Sequence, residues 1–238
     1  MIKIEELSST NDYASEIVSK GFVPDFTAIV TEFQTKGRGQ RGNYWVSDAG
    51  QNLLFSIIVH PTEIPIKEQF ILSQAVSLAL REVVSLYCEP VSIKWPNDIY
   101  VGNKKVAGIL IENSIREKKI ETAIIGIGLN VNQLEFEGVP NPTSLRAESG
   151  HELNKDEVLA QFLSRFRQLY GEMSTNAVAI RSEYKARLYE YGKMRQYKDA
   201  TGTFSGQIID VDADGQLLIA DANGDLRRYY FKEVEYLL

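Results

Sequence analysis

Gly37-Arg38-Gly39-Gln40-Arg41-Gly42-Asn43-Tyr44-Trp45 concentrates glycines, fixed cations and an indole in one short segment. Gly37, Gly39 and Gly42 let backbone N–H groups come close to a ligand and leave the empty segment pliable. Arg38 and Arg41 add planar forks suited to carboxylate or phosphate oxygens, and Trp45 offers a flat apolar face for a base. The flanks place this segment in a fold. Ala28–Phe33 is β-branched and alternating, and it delivers Gln34 directly into the loop. Trp45 leads through the turn Asp48-Ala49-Gly50 into Leu53–Val59, which reads as a buried strand. The expectation is a flap held between two strands, a setting in which binding residues concentrate. A Gly-rich loop on its own also fits a solvated surface turn, so the rest of the chain has to decide.

The chain has 238 residues, 44% hydrophobic and 24% charged, which suits a globular protein with a real core. Its net charge of −6 supplies no basic field for gripping nucleic acid. Cys88 is the single cysteine, so a disulfide framework is excluded, and it reads as a small buried hydrophobe. The longest apolar runs, Leu53–Val59 and Ala123–Val131, are far shorter than a membrane span, and the opening Met1-Ile2-Lys3-Ile4-Glu5-Glu6 lacks the pattern of a signal peptide. A cytoplasmic location without a membrane partner is expected.

Ser8-Ser9-Thr10-Asn11 precedes a helical pattern that ends at Lys20-Gly21. These residues suit a helix cap and equally a site for small polar head groups at a helix start. From Lys67 to Cys88 the apolar spacing predicts a long amphipathic core helix between Pro65 and Pro90. Val91-Ser92-Ile93-Lys94-Trp95-Pro96-Asn97-Asp98 then leads, through a Gly102-Asn103 turn, to Lys104-Lys105-Val106-Ala107-Gly108-Ile109-Leu110-Ile111-Glu112. It reads as a strand, a polar corner and a hairpin. A lysine entering a buried strand is costly unless it is paired or faces a cavity, which singles out Lys105. Asp98 fits an Asx turn as well as a site.

Lys119–Val131 reads as another strand, in which Gly126 and Gly128 mark a bulge or a close approach to the backbone. Asn130 and Asn132 share one side of this extended segment and could present amides to a purine. Further on, Asn154 with Glu157 forms a capping-box-like start to a helix running towards Tyr170, and a second helical pattern covers about Ala177 to Tyr189. After Gly192, short strands at Thr203–Val211, Leu217–Ala220, Arg227–Phe231 and Val234–Leu237, separated by Asp214-Gly215 and Asn223-Gly224 turns, read as a small β-barrel. Too small to stand alone, it should pack on the main body. Neither histidine, His60 nor His151, has a spacing that suggests a metal, and no metal site is expected.

GRGQRGNYW, KWPNDIYV, KKVAGILIE and GIGLNVN, in this order and ahead of a small β-barrel, closely resemble the biotin–protein ligases over essentially the whole chain. The resemblance implies an α+β fold: a class II synthetase-like mixed sheet with flanking helices over residues 1–190, and an SH3-like C-terminal domain over 191–238. It also implies the monofunctional form, without an N-terminal DNA-binding helix-turn-helix. Carried onto matching positions, it assigns Ser9, Thr10, Asn11, Gln34, Gly37, Arg38, Gly39, Gln40, Lys105, Gly108 and Leu110 to biotin. Arg38, Gly39, Gln40, Arg41, Trp45, Lys105, Asn130 and Asn132 are assigned to ATP. Lys105, Arg38, Asp98 and Lys94 are the implied catalytic groups, with Lys94 and Asp98 facing the incoming lysine of a biotin carboxyl carrier protein. One departure is Gln40, where many bacterial relatives carry a second Arg in the loop.

The implied reaction joins the biotin carboxylate to AMP, releases pyrophosphate and then passes biotin to the acceptor lysine. Lys105 and Arg38 suit the charge building on the phosphoryl oxygens, and Mg²⁺ would offset the triphosphate. A homodimer is compatible with the resemblance. Two rivals remain at this point. A lipoate–protein ligase has a related fold, but the polar Ser9–Asn11 cluster suits a ureido ring better than a dithiolane. A nucleic-acid module built on the Arg/Gly loop and the barrel is opposed by the net charge of −6.

Overall fold

The computed structural model describes residues 1–237 except for the side chain of Arg41. The first half of the chain runs β1 (Ile2–Leu7), α1 (Thr10–Lys20), β2 (Thr27–Gln34), β3 (Leu53–Val59), α2 (Phe70–Val84), β4 (Val91–Lys94), β5 (Asp98–Val101), β6 (Lys104–Arg116) and β7 (Lys119–Leu129). These strands form one seven-stranded sheet in the order β1-β2-β3-β7-β6-β5-β4. β1 and β2 are parallel and the other neighbours antiparallel. A helical crossover is what a parallel pair requires, and α1 supplies it.

Strand β3 is buried over its full length because both faces of the sheet are covered. Phe55, Ile57 and Val59 point into the main core, which α2 and two later helices, α4 (Lys155–Glu172) and α5 (Ala177–Ala186), close from one side. Ile58, with Ile29 and Ile124, packs under Ala14 of α1 on the other. The period of two thus sorts one apolar run into two layers. Phe162 and Phe166 of α4 stack with centroids 5.8 Å apart, and Phe162 meets Phe55 edge-on at 5.5 Å.

Helix α2 is shorter than its apolar spacing predicts. Ile66–Glu68 is a 3₁₀ turn after Pro65, and Ser85 at the far end folds its hydroxyl back onto the Arg81 carbonyl. Cys88 beyond it is half-buried, its thiol pushed up to about 11 by burial.

After the short α3 (Leu145–Ser149), α4 and α5, the chain forms β8 (Met194–Asp199), β9 (Gly202–Val211), β10 (Leu217–Asp221), β11 (Leu226–Tyr229) and β12 (Glu235–Leu237). They make a five-stranded antiparallel sheet in the order β11-β10-β9-β8-β12. The expected barrel is not closed: among the described residues no ladder joins β11 to β12, and β12 offers only three paired residues. This sheet packs on the main body as expected. The Trp95 indole N–H donates to the Gly215 carbonyl at 2.9 Å, and Lys185 of α5 pairs with Asp210 at 2.9 Å. Among the described residues no helix is long and apolar enough to cross a membrane.

Candidate active site

Beside α1, one face of the large sheet turns from core into floor. Along β7, Ile124 packs against α1, but Gly126 and Gly128, next on that face, carry no side chain. Their neighbours on β6 are Leu110 and Gly108, and Glu112 lies opposite Ile124. The floor so formed underlies a hollow of about 550 Å³, within the usual range of small-molecule sites. Ser9, Thr10 and Asn11 wall one end, the loop from Arg38 to Trp45 covers the top, and Lys94, Asp98 and Lys105 stand at the other end.

The close approach predicted at the two glycines is made by other side chains. A Cβ on Gly126 would lie 2.9 Å from Asn11 Cγ, and one on Gly128 would lie 2.7 Å from Trp45 Cδ2. The Trp45 indole therefore lies flat on the strand, and its buried Nε1 has no hydrogen-bond partner among the described residues.

A β-bulge sets up the cationic end. β5 and β6 pair Ile99 with Ala107 but Tyr100 with Lys105, so Val106 is an extra residue. Regular alternation would put residues 104, 106 and 108 on one face; the bulge shifts the phase and brings Lys105 to the face of Gly108. Lys105 Nζ lies 2.7 Å from Asp98 Oδ1 and 5.6 Å from the centre of a Trp45 ring. Lys104 points outward to Glu148. Burial pushes the Asp98 carboxyl above its ordinary range, with Lys105 and Lys94 pulling the other way. Burial likewise pulls the Lys94 ammonium down, against the Asp98 charge. Lys94 Nζ sits 4.8 Å from the ring of Tyr100, 5.0 Å from that of Tyr236 and 5.7 Å from that of Tyr189, an aromatic enclosure to which the C-terminal sheet contributes one wall.

At the opposite end Ser9 occupies the N-cap position of α1 without making the cap hydrogen bond, and Thr10 and Asn11 turn inward. The Gln34 side-chain oxygen accepts from the Thr10 backbone N–H at 2.8 Å.

Arg38 and Lys105 share the hollow, but Arg38 is not aimed at its centre. Its guanidinium makes a two-pronged pair with Glu112 at 3.0 and 2.7 Å and touches Asp12 at 2.9 Å. Two carboxylates thus face the Arg38 guanidinium. Gly37 does not line the hollow; its carbonyl accepts from Trp45 N–H, and a side chain there would collide with the Trp45 backbone. Asn130 and Asn132 also lie away from it. Asn132 is spent on the backbone of Leu153, donating to its carbonyl and accepting from its N–H at 2.9 Å each, and Asn130 donates to the Thr143 carbonyl. Both amides hold the chain after β7 onto the strand end, while the buried Asn130 Oδ1 has no hydrogen-bond partner among the described residues. The Arg41 side chain lies outside the described residues.

The residues that the sequence missed are Ser56, Asp12, Glu112 and Tyr236. Ser56 left one signal, a hydroxyl in the middle of Leu-Leu-Phe-Ser-Ile-Ile-Val.

The profile of the Biotin/lipoate A/B protein ligase family matches residues 4–130. The chain belongs to this family. Among curated relatives of this ligase family, the bifunctional ligase/repressor BirA of Bacillus subtilis is 30% identical over 246 residues, covering 99% of this chain and 73% of the relative. The biotin–[acetyl-CoA-carboxylase] ligase of Paracoccus denitrificans is 29% identical over 205 residues, covering 82% and 85%. Among solved structures, the biotin protein ligase of Aquifex aeolicus in complex with biotin and ATP superimposes with a TM-score of 0.81 at 27% identity, covering 99% of this chain and 98% of that one. A biotin/lipoate ligase fold thus spans both sheets, although the family profile matches only the N-terminal half and a little more.

Proposed function

We propose that this protein is an ATP-dependent biotin–protein ligase, which activates biotin as biotinyl-5'-AMP and transfers it to a lysine of a biotin carrier protein. The observation that carries the reading is the meeting, in one hollow, of a polar ring pocket with the Lys105–Asp98 pair beneath a Gly/Arg loop. A ureido ring has one acceptor oxygen and two N–H donors. Ser9 and Thr10 hydroxyls and the Gln34 amide supply matching groups of both kinds, whereas a dithiolane would leave them unpaired.

In the first step a biotin carboxylate oxygen attacks the α-phosphorus of ATP, a P–O bond is formed, and pyrophosphate leaves with the broken one. Lys105 stabilises the charge that builds on these oxygens, and Trp45 with Gly128 offers the flat apolar surface for adenine. In the second step the acceptor amine attacks the acyl carbon and AMP leaves. Asp98 orients the amine and accepts its proton, with Lys94 beside it. Mg²⁺ would enter with the triphosphate, whose charge it offsets.

We read residues 1–190 as the catalytic domain and 191–238 as an SH3-like domain; the separate five-stranded antiparallel sheet, with a register shift at Leu218/Ile219, supports that reading. The test is incubation with biotin, Mg·ATP and a biotin-carrier domain. The carrier should gain one biotin, and lipoate taken in preference would defeat the reading. Lys105→Ala should abolish biotin-dependent pyrophosphate release, whereas Asp98→Ala should chiefly slow labelling of the carrier. Undiminished release by the Lys105 variant would refute the role given to Lys105.

A further inference from the structure

Glu112 sits on the hollow face of β6 as the one acidic residue of KKVAGILIE, and its two oxygens are shared between two parts of the site. Oε1 accepts from Arg38 Nη1 at 3.0 Å, and Oε2 accepts from Arg38 Nη2 and from Asn11 Nδ2, each at 2.7 Å. One carboxylate therefore ties the glycine loop to the start of α1. Asp12, the residue after Asn11, meets the same guanidinium at 2.9 Å, so the loop is held from two sides.

The consequences run further into the pocket. A carboxylate accepts only, so Glu112 fixes the Asn11 amide with its NH₂ towards β6 and its oxygen towards β3. Asn11 Oδ1 then accepts from Ser56 Oγ at 2.6 Å. Ser56 has a single proton, now committed, so the Thr10 hydroxyl proton is shared between Ser56 Oγ at 2.7 Å and the Gln34 side-chain oxygen at 3.2 Å. The Thr10 oxygen is left to face the hollow as an acceptor. The sense of hydrogen bonding three side chains away is dictated by the charge on Glu112.

We propose that Glu112 is a positioning residue: it latches the glycine loop over the site through Arg38 and, through Asn11 and Ser56, sets Thr10 as an acceptor for a ligand N–H. This inference rests on the biotin-ligase reading for the identity of that ligand, but the latch itself does not. Asn11 is then a brace rather than a direct ring contact, since its amide is used by Glu112, Ser56 and the Leu110 carbonyl.

The two arms separate experimentally in the full-length protein. Biotin-dependent pyrophosphate release would be measured for the wild type, Glu112→Gln, Glu112→Ala, Arg38→Ala, the Glu112→Ala/Arg38→Ala double variant and Ser56→Ala, together with trypsin cleavage of the loop in the absence of ligands and thermal melting. For Glu112→Ala the biotin KM should rise by about tenfold or more, the loop should be nicked faster, and kcat at saturating biotin should fall much less. Glu112→Gln, which keeps the shape, should show both effects in weaker form. Ser56→Ala should raise the biotin KM and leave nicking unchanged. In the double variant the two substitutions should be far from additive, as for residues acting through one contact. A biotin KM within about twofold of wild type in both Glu112 variants, whatever the melting temperature, overturns the relay. Unchanged nicking in Glu112→Ala, or additive effects in the double variant, overturns the latch. A wild-type protein that releases no pyrophosphate with biotin would instead defeat the proposed function, and the nicking comparison would still report on the latch.

Discussion

At the scale of single residues, the hollow owes its shape to atoms that are missing. Gly126 and Gly128 have ordinary extended backbones, so no turn demands them; Asn11 and Trp45 occupy the space that their side chains would fill. A methyl group at either position therefore displaces a specific neighbour. Gly128→Ala should lift the Trp45 indole and raise the KM for ATP by about tenfold, with a smaller effect on biotin; Gly126→Ala should push out Asn11 and do the reverse. Overpacking of this kind costs about 1–3 kcal/mol. Calorimetric titration of each variant with biotin and with ATP checks the assignment, and equal losses for both ligands in both variants would contradict it. The sequence marks these glycines as points of close approach, but which side chain approaches depends on contacts with residues more than eighty positions away. The same holds for Asn130 and Asn132: their alternation puts both on one side of a strand, but the strand ends at Leu129 and the two amides turn to backbone groups on either side of α3.

At the scale of elements, most of the large sheet can be read from the chain, since β3, β7 and the β5–β6 hairpin announce themselves by apolar runs and a Gly102-Asn103 turn. Their phase cannot be read so easily. Val106 interrupts the β5–β6 register and sends Lys105, not Lys104, into the hollow, and a bulge has no sequence mark here beyond two adjacent buried residues. The start of α1 is ambiguous for a different reason, because a cap and a polar ligand site call for the same residue types. The structure separates the two roles: Ser9 holds the N-cap position with its hydroxyl bonded to no group among the described residues. Ser9→Ala should accordingly lower stability by well under the about 1 kcal/mol typical of a lost cap, while raising the biotin KM severalfold. Urea unfolding and initial-rate measurements on the same preparation decide the matter, and a stability loss of a full cap with an unchanged KM would return Ser9 to a purely structural role.

At the scale of the whole molecule, the second sheet completes the site rather than merely covering the first. Tyr236 from β12 closes the enclosure of Lys94 with Tyr100 and Tyr189, and Phe231, Val234 and Glu235 line the same end of the hollow. This contact was out of reach of the sequence, which separates Lys94 from Tyr236 by more than half the length of the chain and gives no sign of a shared wall. The Tyr236 hydroxyl is buried without a hydrogen-bond partner among the described residues, so it contributes little that Phe could not. Tyr236→Phe should therefore leave stability unchanged or slightly higher and transfer intact, whereas Tyr236→Ala should free Lys94 and slow transfer from preformed biotinyl-5'-AMP at least tenfold while sparing pyrophosphate release. The pH profile adds an independent check on the same end of the hollow. Because burial holds the Asp98 carboxyl above the ordinary carboxylate range, its ionised form is gained only as pH rises through that raised value. Transfer measured in a single turnover should then fall on acidification at a pH above the usual value of about 4, and Asp98→Asn should be slow and flat over that range. Removing the Tyr236 ring admits water to this end and should move the acid limb back towards lower pH; a limb that stays in place in Tyr236→Ala would mean that the second sheet does not help to desolvate the transfer site.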